Sequence, residues 1–500
     1  MRLLAPLLLL LPFSTSLLPP TPTSSRHSPL RCAPLPRGGE SPVPAPPSPS
    51  PTVLPRFDSL DRKILLISLP AILNFAINPL VGAIDLFWVG RMSSALALAG
   101  QAAANQVYSS AFWMISFLPS VTTPLIAKHY AAGDELSAQD TLRQALFLAA
   151  LLGAAGSAFL LLRSDLALSA VLAEGSPALE FARPYLRIRA LAFLPGMVSI
   201  VGFSAFRGRQ DTVTPLKISG AANVLNAALD PALMFQPAGM GVRGAAWATV
   251  ASEFVSFCAY ITLLVKRKML SLSGLFRPPP FAALVPLLKG GAAVQVRSVA
   301  LNIVFLAVTR ATQSLDKTGT AAAAHAIAIQ VFNLGGIVLL ALSTVAAFLV
   351  PATLVKEGEA SAKRLSNRLM GWGLVLGSLL GGAQLLVLPF LSVFSPLPAV
   401  QQAARMPSII ASFLQIINGA VFIGEGVMQG CGDFLTLAAS NVAAALAMLF
   451  ALKHFTNLYG LNGVWMSFGV FNGIRLAGVA VHQFFLSPLS ARKMAASKQK

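Results

Sequence analysis

From Ile64 to Leu486 the chain repeats one motif, an apolar run of membrane-crossing length followed by a short polar break. A hydrocarbon core about 30 Å thick needs roughly 20 apolar helical residues to cross it. The runs predict twelve spans, near 64–88, 101–126, 142–163, 186–206, 214–236 and 244–265, then 282–308, 321–350, 368–394, 407–428, 434–452 and 462–486. Composition agrees, with 55% hydrophobic residues, 11% charged residues and a mean hydropathy of +0.71. A soluble domain keeps about 25% of its residues charged to solvate its surface. The expected fold is therefore an all-α integral membrane protein.

A net charge of +19 could suggest nucleic acid. Nucleic-acid binders gather their cations on one patch or helix face. Here the cations lie singly or in short runs between apolar segments, as the positive-inside rule requires of loops. Arg62/Lys63, Lys128, Arg207/Arg209, Lys266–Lys268, Lys363/Arg364 and Arg492/Lys493 mark the side that carries both termini. The opposite loops hold fewer, chiefly Arg183, Arg187 and Arg189. Cys32, Cys258 and Cys431 have no paired spacing, and the five histidines are dispersed. No zinc, ATPase or hydrolase signature is present. A non-enzymatic protein without a cofactor is expected.

Residues 1–60 differ in character. Met1-Arg2 opens a leucine run that ends in Ser14-Thr15-Ser16, the form of a secretory signal. The stretch to Pro55 is rich in Ser, Thr and Pro, carries Arg26, Arg31 and Arg37, and has Glu40 as its one acid. Such composition is that of an organelle transit peptide, and a signal followed by a transit segment points to a plastid envelope, the alternative being an ordinary leader with a disordered, proline-stiffened tail on a protein of another cellular membrane. The expected organisation is a leader at 1–60, an N-lobe at 61–265, an inter-lobe loop at 266–281, a C-lobe at 282–486 and a basic tail at 487–500.

The halves repeat in order. Ala102–Tyr108 matches Ala326–Phe332, Gly208-Arg209-Gln210-Asp211 matches Gly430-Cys431-Gly432-Asp433, and Gly241–Trp247 echoes Gly460–Trp465. Six spans is an even number, so the copies share one orientation. Parallel repeats of this kind belong to transporters.

A charge in mid-span costs about 2.5–3.5 kcal/mol on insertion scales, so each one needs a reason. Asp85 shares its helix with Asn74 and Asn78, all within about 40° of one face. Asn223, Asn226 and Asp230 form a second stripe in span five. Both aspartates come late in spans that cross in the same direction, which predicts similar depth. Two carboxylates backed by amides can hold a proton or a sodium ion. Gln101, Asn105 and Tyr108 share a face of span two and are candidates for lining a cavity or for gluing helices together. Arg297, Asn302 and Arg475 are ambiguous in the same way, and Glu425 reads equally as a functional carboxylate or a partner for Arg297 or Arg475. Asp211 reads as a helix cap or loop anchor. Pro70 and Asn78-Pro79 allow span one to bend.

These residues resemble the multidrug and toxic compound extrusion (MATE) antiporters over roughly residues 60–486. The likeness is densest in Phe206–Leu216, Asn223–Asp230, Gly239–Ser252 and the end of span one, Asp85–Gly90. It implies two six-helix lobes in a V around a solute cavity, and it is closest to the DinF-type branch, which includes plant plastid members. In that branch the positions of Asp85 and Asp230 form the cation site, Asn226 neighbours it, and Pro70 is the bend. The NorM-type branch has an aspartate in span ten where this chain has Asn418, so a C-lobe cation site is not expected. The resemblance implies a monomer exchanging protons or sodium for small organic solutes by alternating access. Its rivals are a lipid-linked precursor flippase, which usually has 14 spans, and a prenyltransferase-like membrane enzyme, which would need an aspartate-rich metal motif.

Overall fold

The computed structural model describes residues 53–490, apart from 91–94, 173–174, 236–237, 272–277, 316–318 and 394–396. The leader reading at 1–52 and most of the basic tail lie outside the described residues. Every regular element among the described residues is helical. In the first half these are α1 (Ser59–Gly90), α2 (Ala95–Ile115), α3 (Leu118–Ala131), α4 (Glu135–Leu162), α5 (Ser164–Leu168), α6 (Leu179–Ala190), α7 (Phe193–Gly208), α8 (Val213–Met234) and α9 (Val242–Lys266). The second half has α10 (Phe281–Ser314), α11 (Thr320–Glu357), α12 (Glu359–Val387), α13 (Pro398–Gly430) and α14 (Phe434–Val481).

Among the described residues, seven helices alone are long and apolar enough to cross a membrane, and nine when each of two bent pairs counts as one span. The pairs are α2–α3, bent by 41°, and α6–α7, bent by 49°. They supply spans two and four. A tenth appears because α14 contains a break at Gly460, where φ is 54° and ψ is −130°. The 32-residue α1 and the 22-residue α8 stand at the predicted positions of spans one and five and have membrane-crossing length. Two expectations need correcting. Span ten starts at Pro398 and runs through Pro407, nine residues before the predicted start. Spans eleven and twelve are joined by one left-handed glycine, where the sequence suggested a loop.

The repeat is visible in backbone geometry. After α7, the Gln210 amide donates to the Arg207 carbonyl at 2.8 Å and the Asp211 amide to the Phe206 carbonyl at 2.9 Å. After α13, the Gly432 amide donates to Gln429 and the Asp433 amide to Met428, both at 3.0 Å. Both are Schellman closures with one left-handed residue, Gln210 at φ 65° and Gly432 at φ 78°. Each aspartate then caps the helix that follows. Asp211 accepts from the Thr214 amide at 2.9 Å, and Asp433 from the Thr436 amide at 3.3 Å. Gly241 before α9, at φ 59° and ψ −137°, reproduces the Gly460 conformation. All three sequence matches therefore have a physical basis or a helical counterpart.

Gln210 occupies a backbone region that suits glycine, at a cost of about 1 kcal/mol. Gln210→Gly should therefore raise thermal stability slightly, while Gly432→Ala should lower it by about 1 kcal/mol. Thermal unfolding of the purified protein checks both signs.

In the first half α8 packs on α9, α4 on α7, α2 on α6 and α1 on α8. In the second, α13 is central, with α11, α12 and α14 packed against it. A stripe of Gly373, Gly377 and Gly381 on α12 permits close approach to α13, since a Cβ at each would overlap the carbonyls of Gly419, Gln415 and Ser412. Contacts between the halves include those of α1 and α3 with α11. There Ile64, Ala71 and Ala127 are buried in one apolar cluster with Leu342, Phe348 and Leu369. This cluster lies by the first turns of α1 and the last turn of α3.

Candidate functional site

The buried face of α8 is a row at four-residue spacing: Thr214, Ile218, Ala222, Asn226, Asp230 and Met234. Such spacing makes one stripe on a helix, so Asn226 sits one turn from Asp230. Asn226 is 1% exposed and Asp230 0%. An ionised carboxylate withdrawn from water this far needs a compensating charge or a proton. Asn223 lies off the stripe and is partly exposed.

The partner helix is α1. Thr212 Oγ1 donates to the Ile67 carbonyl at 3.0 Å, and Asn74 Nδ2 donates to Ser219 Oγ at 3.2 Å. Each pair is separated by 145 residues, so the two helices run parallel in constant register. Near the far end Trp88 and Phe235 meet edge to face at 6.2 Å. Eleven residues beyond Asn74 and Ser219 come positions 85 and 230, again in the same register. Eleven residues are about three turns, or about 16 Å, which returns both positions close to the facing sides at one depth. The side chains of Asn78, Pro79 and Asp85 lie outside the described residues. Pro70 is partly buried, one turn before Asn74.

Asn74, Gln101 and Tyr108 are buried, at 7%, 2% and 4% exposure. Tyr108 stacks on Phe112 at 6.0 Å and meets Phe193 edge-on at 5.4 Å. Asn105 Oδ1 accepts from the Tyr185 hydroxyl at 3.1 Å, which ties α2 to α6. Over the Tyr108 ring, 4.2 Å from its centre, lies the Arg189 guanidinium, which also pairs with Glu253 at 3.3 Å. Arg189 is thus no loop cation but a buried group at the bend between α6 and α7. Glu253, in the middle of α9, escaped the sequence reading. A mid-span acid paired with a mid-span Arg was the available signal.

In the second half Glu425 is 2% exposed and fully engaged. It accepts from Arg297 at 2.6 Å, from Arg475 at 2.9 Å and from Asn441 at 2.9 Å. Arg475 also donates to Asn472 at 3.0 Å. The structure thus places Glu425, nearly fully buried, as the partner of both arginines. At the position where the NorM-type acid would stand, Asn418 donates to Gln415 at 3.1 Å, and Gln415 donates to the Phe332 carbonyl at 2.7 Å. These are neutral amides.

Asp211, in the loop before α8, serves as cap and anchor. It accepts from the Thr214 hydroxyl and from Arg267, both at 2.6 Å. Burial alone would raise its carboxyl, but these bonds and the Thr214 amide hold it below the ordinary carboxylate range.

The model of the MatE family matches residues 70–232. Protein DETOXIFICATION 44, chloroplastic, of Arabidopsis thaliana is 31% identical over 445 residues, covering 85% of this chain and 82% of its own. Protein DETOXIFICATION 45, chloroplastic, of the same plant is 29% identical, covering 83% and 77%. A probable multidrug resistance protein NorM of Thermotoga maritima is 26% identical, covering 85% and 92%. Among solved structures, a MATE protein in a bent conformation superposes with a TM-score of 0.79 at 19% identity, covering 88% of this chain and 97% of that one.

Proposed function

The chain belongs to the MATE family of membrane transporters, and from that membership we propose that it is a secondary efflux antiporter. It exchanges protons or sodium ions for organic solutes by alternating access. The cation site is Asp85, Asp230 and Asn226. One observation carries this reading: Asp230 and Asn226 are buried on the face of α8 whose register with α1 brings position 85 level with Asp230.

A cation arriving from the side opposite the termini neutralises the carboxylates, and solute leaves by that side. Neutralisation makes burial less costly, so the cation binds one conformation more tightly than the other. Differential affinity of this kind is the only means by which a ligand shifts a conformational equilibrium. Asn74 and Pro70 belong to the responding helix. Pro70 lacks the amide that would close its turn, so α1 can bend there with the loss of few bonds. A single copy contains every group invoked, which fits a monomer. The signal-plus-transit leader and the chloroplastic names of two relatives support a plastid envelope membrane. A fluorescent fusion at the C-terminus tests that location.

The transport test is efflux from reconstituted vesicles under an imposed proton or sodium gradient, screened against a mixed panel of organic solutes. Solute flux is expected to follow one of the two gradients. Flux that ignores both would remove the antiport reading.

A further inference from the structure

We propose that the segment from Val53 to Asp61 is a strap that locks the gate on the side bearing the termini, and that opening this gate requires its release. Asp61 lies in the first turn of α1, yet it is 0% exposed. Its Oδ2 accepts from the Arg56 and Phe57 amides, both at 2.7 Å, and so folds the preceding residues back over the helix start. The same oxygen accepts from Arg368 of α12 at 3.1 Å, while Oδ1 accepts from the Trp372 indole at 2.8 Å. Arg368 also reaches the Leu54 carbonyl at 2.8 Å and Asp58 at 3.1 Å. Phe57 meets Trp372 edge to face at 5.8 Å.

Two features show that this is a fitted seat. Gly371 lies against the strap so closely that a Cβ there would overlap the Val53 carbonyl oxygen. Phe57 holds a φ of 58°, a left-handed conformation that an aromatic residue keeps only where its surroundings impose it. The strap therefore joins span one, in the first half, to span nine, in the second. Directly along α1 follow Ile64 and Ala71, which with Ala127 of α3 are buried against Leu342, Phe348 and Leu369 of the second half. Arg207 lies over Phe75 of α1 and Phe348 of α11, at 5.7 and 5.8 Å from the ring centres. For solute to enter from this side, that apolar seam must part. With the strap seated, α1 cannot leave α12 without breaking the Arg368–Asp61 and Trp372–Asp61 bonds together. Their joint loss makes the release a two-state event rather than gradual fraying.

The test uses the full chain in lipid nanodiscs, with Cys32, Cys258 and Cys431 replaced by Ser and a reporter introduced as Ala127→Cys. Ala127 is 1% exposed within the seam, so a membrane-impermeant maleimide labels it only when the gate opens. Arg368→Gln removes the ion pair, and Gly371→Ala evicts the strap without touching any charge. Each is expected to speed labelling about tenfold or more, as an opening equilibrium shifted by one decade requires. A second reporter, Ala205→Cys, is 0% exposed inside the first half and should stay unlabelled, which separates gate opening from unfolding. A labelling rate at position 127 that Gly371→Ala leaves within about twofold of the parent overturns the strap. So does an equal acceleration at position 205. Neither reading depends on Asp85 and Asp230, so failure here leaves the cation site standing, and the reverse also holds.

Discussion

Asp230→Asn is expected to insert, fold and bind solute, yet to move nothing against a gradient. Gradient-driven efflux should fall by about a hundredfold or more, to the level of empty vesicles. To carry a two-state transporter from 1:99 to 99:1, a driving ion must prefer one state by about 5.5 kcal/mol. A carboxylate can supply this preference, because its charge is costly in the dry state and cancelled once a proton or sodium ion binds. A carboxamide of the same shape is neutral in both states and supplies none. Asp230 is completely buried, and the substitution removes a charge without leaving a hole, so the fold should survive. The register of α1 and α8 predicts the same result for Asp85→Asn. The decisive measurement pairs efflux under an imposed gradient with solute binding at equilibrium. Full efflux in both variants would end the carboxylate-driven mechanism.

That these helices come together was partly legible in the sequence. Asn74 and Asp85, and Asn223 to Asp230, declared themselves because polar groups at helical spacing stand out in an apolar run. Their shared depth followed from counting crossings. The 145-residue register did not, since nothing in a sequence says that Thr212 reaches the Ile67 carbonyl. The repeat was readable because Gly-x-x-Asp and Gly241/Gly460 encode backbone conformations that few residues adopt. Gln210 shows the limit of that code, because a left-handed residue that is not glycine carries no mark of its own. Arg189 was misplaced by the rule that cations gather in loops. That rule fails where an acid such as Glu253, on a helix far away in the chain, makes a buried cation tolerable. Asp61 drew no notice in the sequence, because its partners Arg368 and Trp372 are more than three hundred residues away. Pairings across such distances belong to packing, and composition and periodicity do not register them.

Glu425→Gln should fail in the opposite way from Asp230→Asn. Among the described residues, Glu425 is the carboxylate that pairs with both Arg297 and Arg475, at 2.6 and 2.9 Å, in a site where all three side chains are largely buried. Its loss leaves two guanidinium groups facing each other across a neutral amide. Breaking a buried ion pair by removing one partner costs about 3–5 kcal/mol. A fold stabilised by about 5–15 kcal/mol cannot absorb that loss without visible damage. Yield of monodisperse protein and its unfolding temperature should therefore drop sharply, before transport can be assayed. Arg297→Met should be much milder, because Glu425 keeps Arg475 and Asn441 and a neutral pair remains. Replacing the whole triad with Met, Leu and Met at 297, 425 and 475 should recover most of the lost stability, since a well-packed apolar set avoids the desolvation that the ions require. Were Glu425→Gln instead to fold normally and lose only gradient-driven efflux, Glu425 would be a working carboxylate, and the cation machinery would extend into the second half. The two acids are nearly equal in burial, at 0% and 2% exposure, and on the proposed mechanism they differ in what neutralises them. Permanent neutralisation by two arginines makes a strut, whereas a carboxylate that exchanges its cation each cycle makes a motor.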